Sequence, residues 1–197
     1  MGPGLPSVVF HGHATFGHAL TGHGIAPLQL AEMPPWLRAW LDSEWALVVL
    51  LGVFILEGAM LMYFMPSELV VPSALLLIGT APEDVAAVLT VAVVGATIGQ
   101  YALFRVAHHG GREYLLQKRW FRISESTLDR FDGWFDRWGP VVIPVSNTLL
   151  FTRGMLTVPA GLSDMSGRKF VLLSAIGTLS FQSILAALFL WFETLLA

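Results

Sequence analysis

The chain has 197 residues, of which 55% are apolar and only 13% charged, with a mean hydropathy of +0.67. An ordinary soluble domain carries roughly 25% charge, so this composition excludes a disordered chain and argues against a soluble globule. Fourteen acids against eleven bases give a net charge of −3, no basis for nucleic-acid binding, and the lack of cysteine excludes disulfides and thiolate chemistry.

In chain order, residues 1–33 form a Gly-, His- and Pro-rich stretch with no apolar periodicity, expected to be a flexible tail. It has no basic n-region before an apolar run, so it does not read as a secretory signal. His11, His13, His18 and His23 lack the carboxylates or fixed spacing of a closed metal site. Residues 34–45 place Trp36, Leu37, Trp40 and Leu41 on one helical face, as in a short interfacial helix. The membrane domain is expected to fill 34–197.

Two stretches, 85–104 and 170–192, are apolar and free of charge. Each reaches the roughly 20 residues that a helix needs to cross the hydrocarbon core. Two others, 45–82 and 138–163, are apolar but broken near the middle by charge, Pro and Gly. Irregular backbone at membrane depth survives only where protein or a water-filled cavity covers it, so both are expected to be broken or re-entrant helical hairpins. A plain span with one tolerated Glu is the alternative for Trp45–Met65. The expected fold is therefore an all-α polytopic membrane protein: two opposed hairpins, each followed by a transmembrane helix. A shift of 87 residues lays 85–104 on 172–191, and Phe64, Leu69, Val71 and Pro72 on Phe151, Leu156, Val158 and Pro159. That pattern suggests an internal duplication, a common way to build transporters.

Between the clean spans, 105–137 holds seven Lys and Arg residues, whereas 80–84 holds none. The positive-inside rule places 105–137 in the cytoplasm. Within it Leu128, Phe131, Phe135 and Trp138 recur at helical spacing opposite Asp129, Asp132 and Asp136, the pattern of a surface-lying amphipathic helix.

Four intramembrane groups are expensive there and so are candidates for function. Glu57 and Glu68 lie in the first hairpin, Gln100 in the first clean span and Arg153 in the second hairpin. A carboxylate in such a setting is a candidate proton carrier. An Arg stays charged and can hold phosphate bidentately. Two acids facing one Arg across a repeat interface would make a proton-linked anion site. The bland alternative is an acid–Arg pair that merely holds the hairpins together. Gln100 can serve as a helix tie, and Gly95 with Gly99 forms a GxxxG signal for close helix contact. His108 and His109 are adjacent and point to different faces at the end of a span. No HExxH or GxSxG motif is present, so no enzyme and no cofactor is expected.

The runs FILEGAMLMYFMPSELVVPSALLLIG (54–79), GATIGQYALFRVAHHGG (95–111) and RGMLTVPAGLSDMSGRKF (153–170) resemble the DedA/VTT (SNARE-associated Golgi protein) family over about 45–192. The resemblance implies a multi-pass protein of the cell membrane that moves lipid between leaflets, including a polyprenyl-phosphate carrier, often linked to proton motive force. Glu57 and Glu68 match the family's two acids, the proton-coupling candidates, and Arg153 matches its second essential Arg. Where the family has its first Arg, this chain has Asn147. Where an acid often follows the glycine of the first span, it has Gln100. Arg153, Asn147 and Gln100 are thus the candidate substrate-binding residues, with phosphate-bearing lipid headgroups and protons as the partners. A non-transporting membrane-organising protein and a small-ion or osmolyte exchanger are the alternatives.

Overall fold

A computed structural model describes residues 45–61, 67–117, 125–149 and 152–196. The expected tail and the interfacial helix at 34–45 lie outside the described residues, save Trp45. All regular elements among the described residues are helical. In chain order the α-helices are α1 (Ala46–Gly58), α2 (Val70–Ile78), α3 (Pro82–Gln117), α4 (Glu125–Trp138), α5 (Val142–Thr148), α6 (Thr157–Leu162) and α7 (Gly167–Leu196), with short 3-10 turns at Ser67–Leu69 and Gly139–Val141.

Among the described residues only α3 and α7 are long enough and apolar enough to cross a membrane, over Pro82–Gly111 and Gly167–Leu195. At 1.5 Å per residue each exceeds 40 Å, against a hydrocarbon core of about 30 Å. The helix α3 is interrupted at Gly111, whose φ of 71° no helical residue adopts. By contrast α2, α5 and α6 have nine, seven and six residues, too short to cross.

The two spans are antiparallel. Phe104 stacks on Phe170, Gln100 bonds Ser174, and Val88 and Ala92 share a cluster with Ala186 and Phe189. The chain between them therefore leaves α3 and re-enters α7 at the same end. It travels inward along α5, where Pro144 and Asn147 meet Gly177, and reaches Arg153 beside Gln182. It then returns through α6 to Gly161, which lies against the Phe104 carbonyl.

Helix α1 packs on α3 through the glycines singled out above. A Cβ on Gly95 would stand 2.7 Å from Phe54 Cβ, and one on Gly99 would overlap the Ile55 carbonyl oxygen. Gly58 answers from α1, facing the Ala96 backbone. The GxxxG signal thus marks a real close approach. Helix α1 ends in a pair of capping bonds, Leu61 N–H to the Leu56 carbonyl and Met60 N–H to that of Glu57. Met60 takes the left-handed conformation this cap needs, with φ 58° where glycine is usual. In the second hairpin Gly154, φ 73°, turns the chain, and Met60 Sδ lies 3.9 Å from where its Cβ would be. The tips of the two broken segments therefore touch.

At the 87-residue offset two local features coincide. Leu69 and Leu156 both cap a helix, α2 and α6, and Pro72 and Pro159 each stand third in it. The first halves do not correspond in length: α1 has 13 residues and α5 only seven.

Apolar side chains face outward as well as inward. On α7, Leu172, Ile176, Leu179 and Leu188 are exposed, while Ser174, Thr178 and Gln182 are fully buried. An exposed apolar shell around a core that also holds polar groups is stable in lipid and an aggregation hazard in water. One apolar cluster joins α1, α2, α3 and α7 at the Pro82 end. A second, built on Phe104, Ile143, Ala160 and Phe170, closes the other end. The buried polar groups lie between them.

Candidate functional site

The site begins at the tip of the second hairpin. Ser146 donates its hydroxyl to the Thr152 carbonyl at 2.5 Å, and Thr152 returns a bond to the Ser146 carbonyl at 3.2 Å. Asn147 Oδ1 accepts from Gly154 N–H at 3.1 Å. These three bonds hold the tip between α5 and α6, and they aim Arg153 into the protein.

There the guanidinium meets Glu57 from the last turn of α1. Arg153 Nη2 donates to Glu57 Oε2 at 3.2 Å, with the side chains only 6% and 10% exposed. With its amide oxygen turned toward the guanidinium, Gln182 of α7 accepts from Nη1 at 3.2 Å and Nη2 at 2.9 Å. Phe181 lies under the group, its ring centroid 4.3 Å from Arg153 Cζ. The charge is thus paired, hydrogen-bonded and stacked, which is what its burial requires. One donor is idle: buried Arg153 Nε has no partner. Glu68 stands close enough to act electrostatically on both Glu57 and Arg153. No direct hydrogen bond or ion pair engages Glu68 among the described residues.

Asn147 and Gln100 form a second centre. Asn147 Nδ2 donates to Gln100 Oε1 at 3.1 Å, and the Ser174 hydroxyl donates to the same oxygen. The two departures from the family pattern are therefore one: the residues standing in for an Arg and an acid are bonded to each other, and both are neutral. This centre ties α3, α5 and α7 together and reaches Arg153 only through Gly154. Among the described residues no cluster of three His, Asp or Glu could hold a metal.

Of the expected residues, Glu57 and Arg153 come together directly, Glu68 lies nearby, and Gln100 pairs with Asn147. Sequence reasoning missed Gln182, Phe181 and Ser174. A signal was present: Ser174, Thr178 and Gln182 recur every four residues in a span free of charge, one polar face of a helix.

Comparison with known proteins agrees with the membrane reading. The VTT domain family matches residues 42–190. Undecaprenyl phosphate transporter A of Bacillus subtilis (strain 168) is 25% identical over 112 residues, 56% of this chain and 57% of the relative. Its namesake from Staphylococcus aureus (strain NCTC 8325 / PS 47) is 24% identical over 118 residues, 57% of this chain and 58% of the relative. The uncharacterized membrane protein YkoX of Bacillus subtilis (strain 168) is 24% identical over 152 residues, 77% of this chain and 67% of the relative. The chain thus spans a little under three fifths of each transporter's length. No solved structure matches it. With its family match spanning both apolar helices and the Glu57–Arg153 pair between them, the chain belongs to the VTT-domain (DedA) family of membrane proteins.

Proposed function

We propose that this protein moves a phosphate-bearing lipid between leaflets, with Arg153 as the headgroup anchor and Glu57 as its exchangeable partner. The observation that carries the reading is the Glu57–Arg153 pair where the tips of two hairpins meet. We read those hairpins as re-entrant, dipping from opposite faces of the membrane, so that their contact divides the protein's interior. The relatives named for undecaprenyl phosphate transport support a phosphate-bearing substrate.

In the resting state Glu57 neutralises the guanidinium. An arriving phosphate competes for the same donors and also takes Nε, which is idle. Glu57, released from its cation in a low-dielectric site, then takes up a proton rather than remain an unpaired anion. Glu68 is the second acid able to exchange that proton. Gln182 and Phe181 keep the guanidinium oriented, and Asn147 with Gln100 holds the tip that carries it. When phosphate leaves, Glu57 loses its proton and re-forms the pair.

A purely structural pair is the competing reading, favoured by how little of either side chain is exposed. Removing one partner of a buried pair costs about 3–5 kcal/mol, whereas replacing both can be nearly neutral. The test is therefore the neutral double variant Glu57→Gln/Arg153→Gln, reconstituted in vesicles with a labelled polyprenyl phosphate. We expect it to fold and insert like the parent, with each single variant less stable, yet to lose lipid translocation and its response to a pH gradient. Translocation at the parental rate in the double variant makes the pair scaffolding and ends the proposal.

A further inference from the structure

From the Arg153 site toward the basic end of the spans, the facing residues of α3 and α7 change character turn by turn. On α7, Gln182, Thr178 and Ser174 are fully buried one turn apart, and Gln100 of α3 bonds Ser174. One turn further, Phe104 and Phe170 stack with ring centroids 4.5 Å apart, both fully buried. Beyond them opens a cavity of about 280 Å³, floored by Phe104 and lined by Arg105, His108, His109 and Ser166.

Among the described residues no carboxylate lines this cavity and Arg105 has no acidic partner. Its Nη1 donates to the Tyr101 hydroxyl at 3.1 Å. His108 and His109 each hold a backbone carbonyl with Nδ1, those of Gly161 at 3.1 Å and Arg105 at 2.8 Å. That fixes the Nδ1–H tautomer and leaves both Nε2 atoms for a ligand. Arg168 and Lys169, at the start of α7, add charge at the same end.

We propose that this cavity is an outer binding site for a phosphate group, and that the Phe104–Phe170 stack is the barrier separating it from Arg153. The inference rests on the phosphate-lipid reading of the inner site. Arg105 supplies charge at the depth where headgroups lie. An imidazole Nε2 accepts from a phosphate hydroxyl, or donates once protonated. The two rings leave a dry layer one turn thick between two polar regions. Two turns inside it, past the Gln100–Ser174 bond, the Thr178 hydroxyl is buried without a partner, so a phosphate oxygen or water that reaches it meets a donor whose use breaks no existing bond.

Two labelling measurements test this, and neither requires transport. They stand or fall whatever the Glu57 and Arg153 variants do to lipid movement. The chain has no cysteine, so single engineered thiols report cleanly. The first places Thr178→Cys in the parental background and with Phe170→Ala, with Phe170→Leu as the milder variant should Ala fail to fold. A membrane-impermeant methanethiosulfonate is applied to the basic face. Opening the barrier should raise the labelling rate about tenfold, the effect of lowering a barrier by about 1.4 kcal/mol. Equal rates with and without the ring overturn the barrier.

The second uses Ser166→Cys in vesicles containing phosphatidic acid, compared with vesicles brought to the same surface charge with oleate. Slower labelling with phosphatidic acid, abolished by Arg105→Gln, assigns the site to lipid phosphate. Slowing by inorganic phosphate alone, again lost in Arg105→Gln, assigns it to free phosphate. Protection by neither overturns the binding site.

Discussion

Arg153 and Asn147 sit six residues apart, one charged and one neutral, and the tip between them makes the first depend on the second. Asn147 uses both ends of its amide, accepting from Gly154 N–H and donating to Gln100 Oε1. Truncating it leaves the buried Gly154 N–H without its acceptor, at about 1–3 kcal/mol, and leaves Gln100 Oε1 with the Ser174 hydroxyl as its remaining donor. We expect Asn147→Ala to lower the thermal midpoint in detergent and to slow lipid translocation by releasing the residue next to Arg153. Ser174→Ala, which leaves the Gly154 bond intact, should cost only about 1 kcal/mol and spare transport. Equal transport losses in both would place the effect in the Gln100 centre rather than at the tip. At this scale the acids and Arg153 were legible because a lone charge in an apolar run is conspicuous. The Asn147–Gln100 pairing was not, because two neutral amides 47 residues apart carry no mark of their contact. Gln182 stayed hidden for a related reason: a run free of charge reads as clean even when one face is polar.

Helices α1 and α3 meet backbone to backbone, and that contact fixes where Glu57 stands. Gly99 has no room for a Cβ against Ile55 and Ala59, whereas Gly52 of the same helix pair has nothing within 4 Å of where its Cβ would be. The same substitution should therefore act in opposite directions. Gly52→Ala removes a flexible residue from a helix and should stabilise by about 0.5–1 kcal/mol. Gly99→Ala must push α1 away from α3, lowering the thermal midpoint and displacing Glu57 from Arg153. Thermal unfolding in detergent measures both, and a neutral Gly99→Ala would mean that α1 does not pack as closely as described. The spans and the broken segments were readable from apolar length and from interruptions. The expected duplication coincides with the structure only locally. Its second halves keep the same cap and the same third-position proline, while the first halves are a 13-residue helix in one unit and a seven-residue helix in the other. Similarity of apolar sequence cannot register that difference, because apolar character alone does not say where a helix ends.

For the whole molecule, the antiparallel spans constrain how the chain is threaded. Because α3 ends and α7 begins at one end, everything from 118 to 166 must start and finish on that side, and helices of six and seven residues cannot cross in between. By the positive-inside rule, the bias of Lys and Arg toward that end predicts that it faces the cytoplasm. What composition alone left open was the first hairpin, since a single Glu within an apolar run is tolerated in an ordinary span. Its tip at Met60 lies beside Gly154 in the interior, and α2 returns to the cluster at the Pro82 end, so the chain should emerge where it entered. Single cysteines at Trp45, Glu83 and Ser126 separate the cases with an impermeant reagent applied to intact cells. We expect Glu83→Cys and Trp45→Cys to react from outside and Ser126→Cys to be shielded until the cells are opened. Reaction of Ser126→Cys alone would invert the whole arrangement while keeping the fold. Labelling of Glu83→Cys and Ser126→Cys from one side would mean that α3 does not cross. Shielding of Trp45→Cys together with Ser126→Cys would make the first segment a crossing, move the N-terminal end to the cytoplasm, and remove the opposed pair of hairpins on which the transport proposal stands.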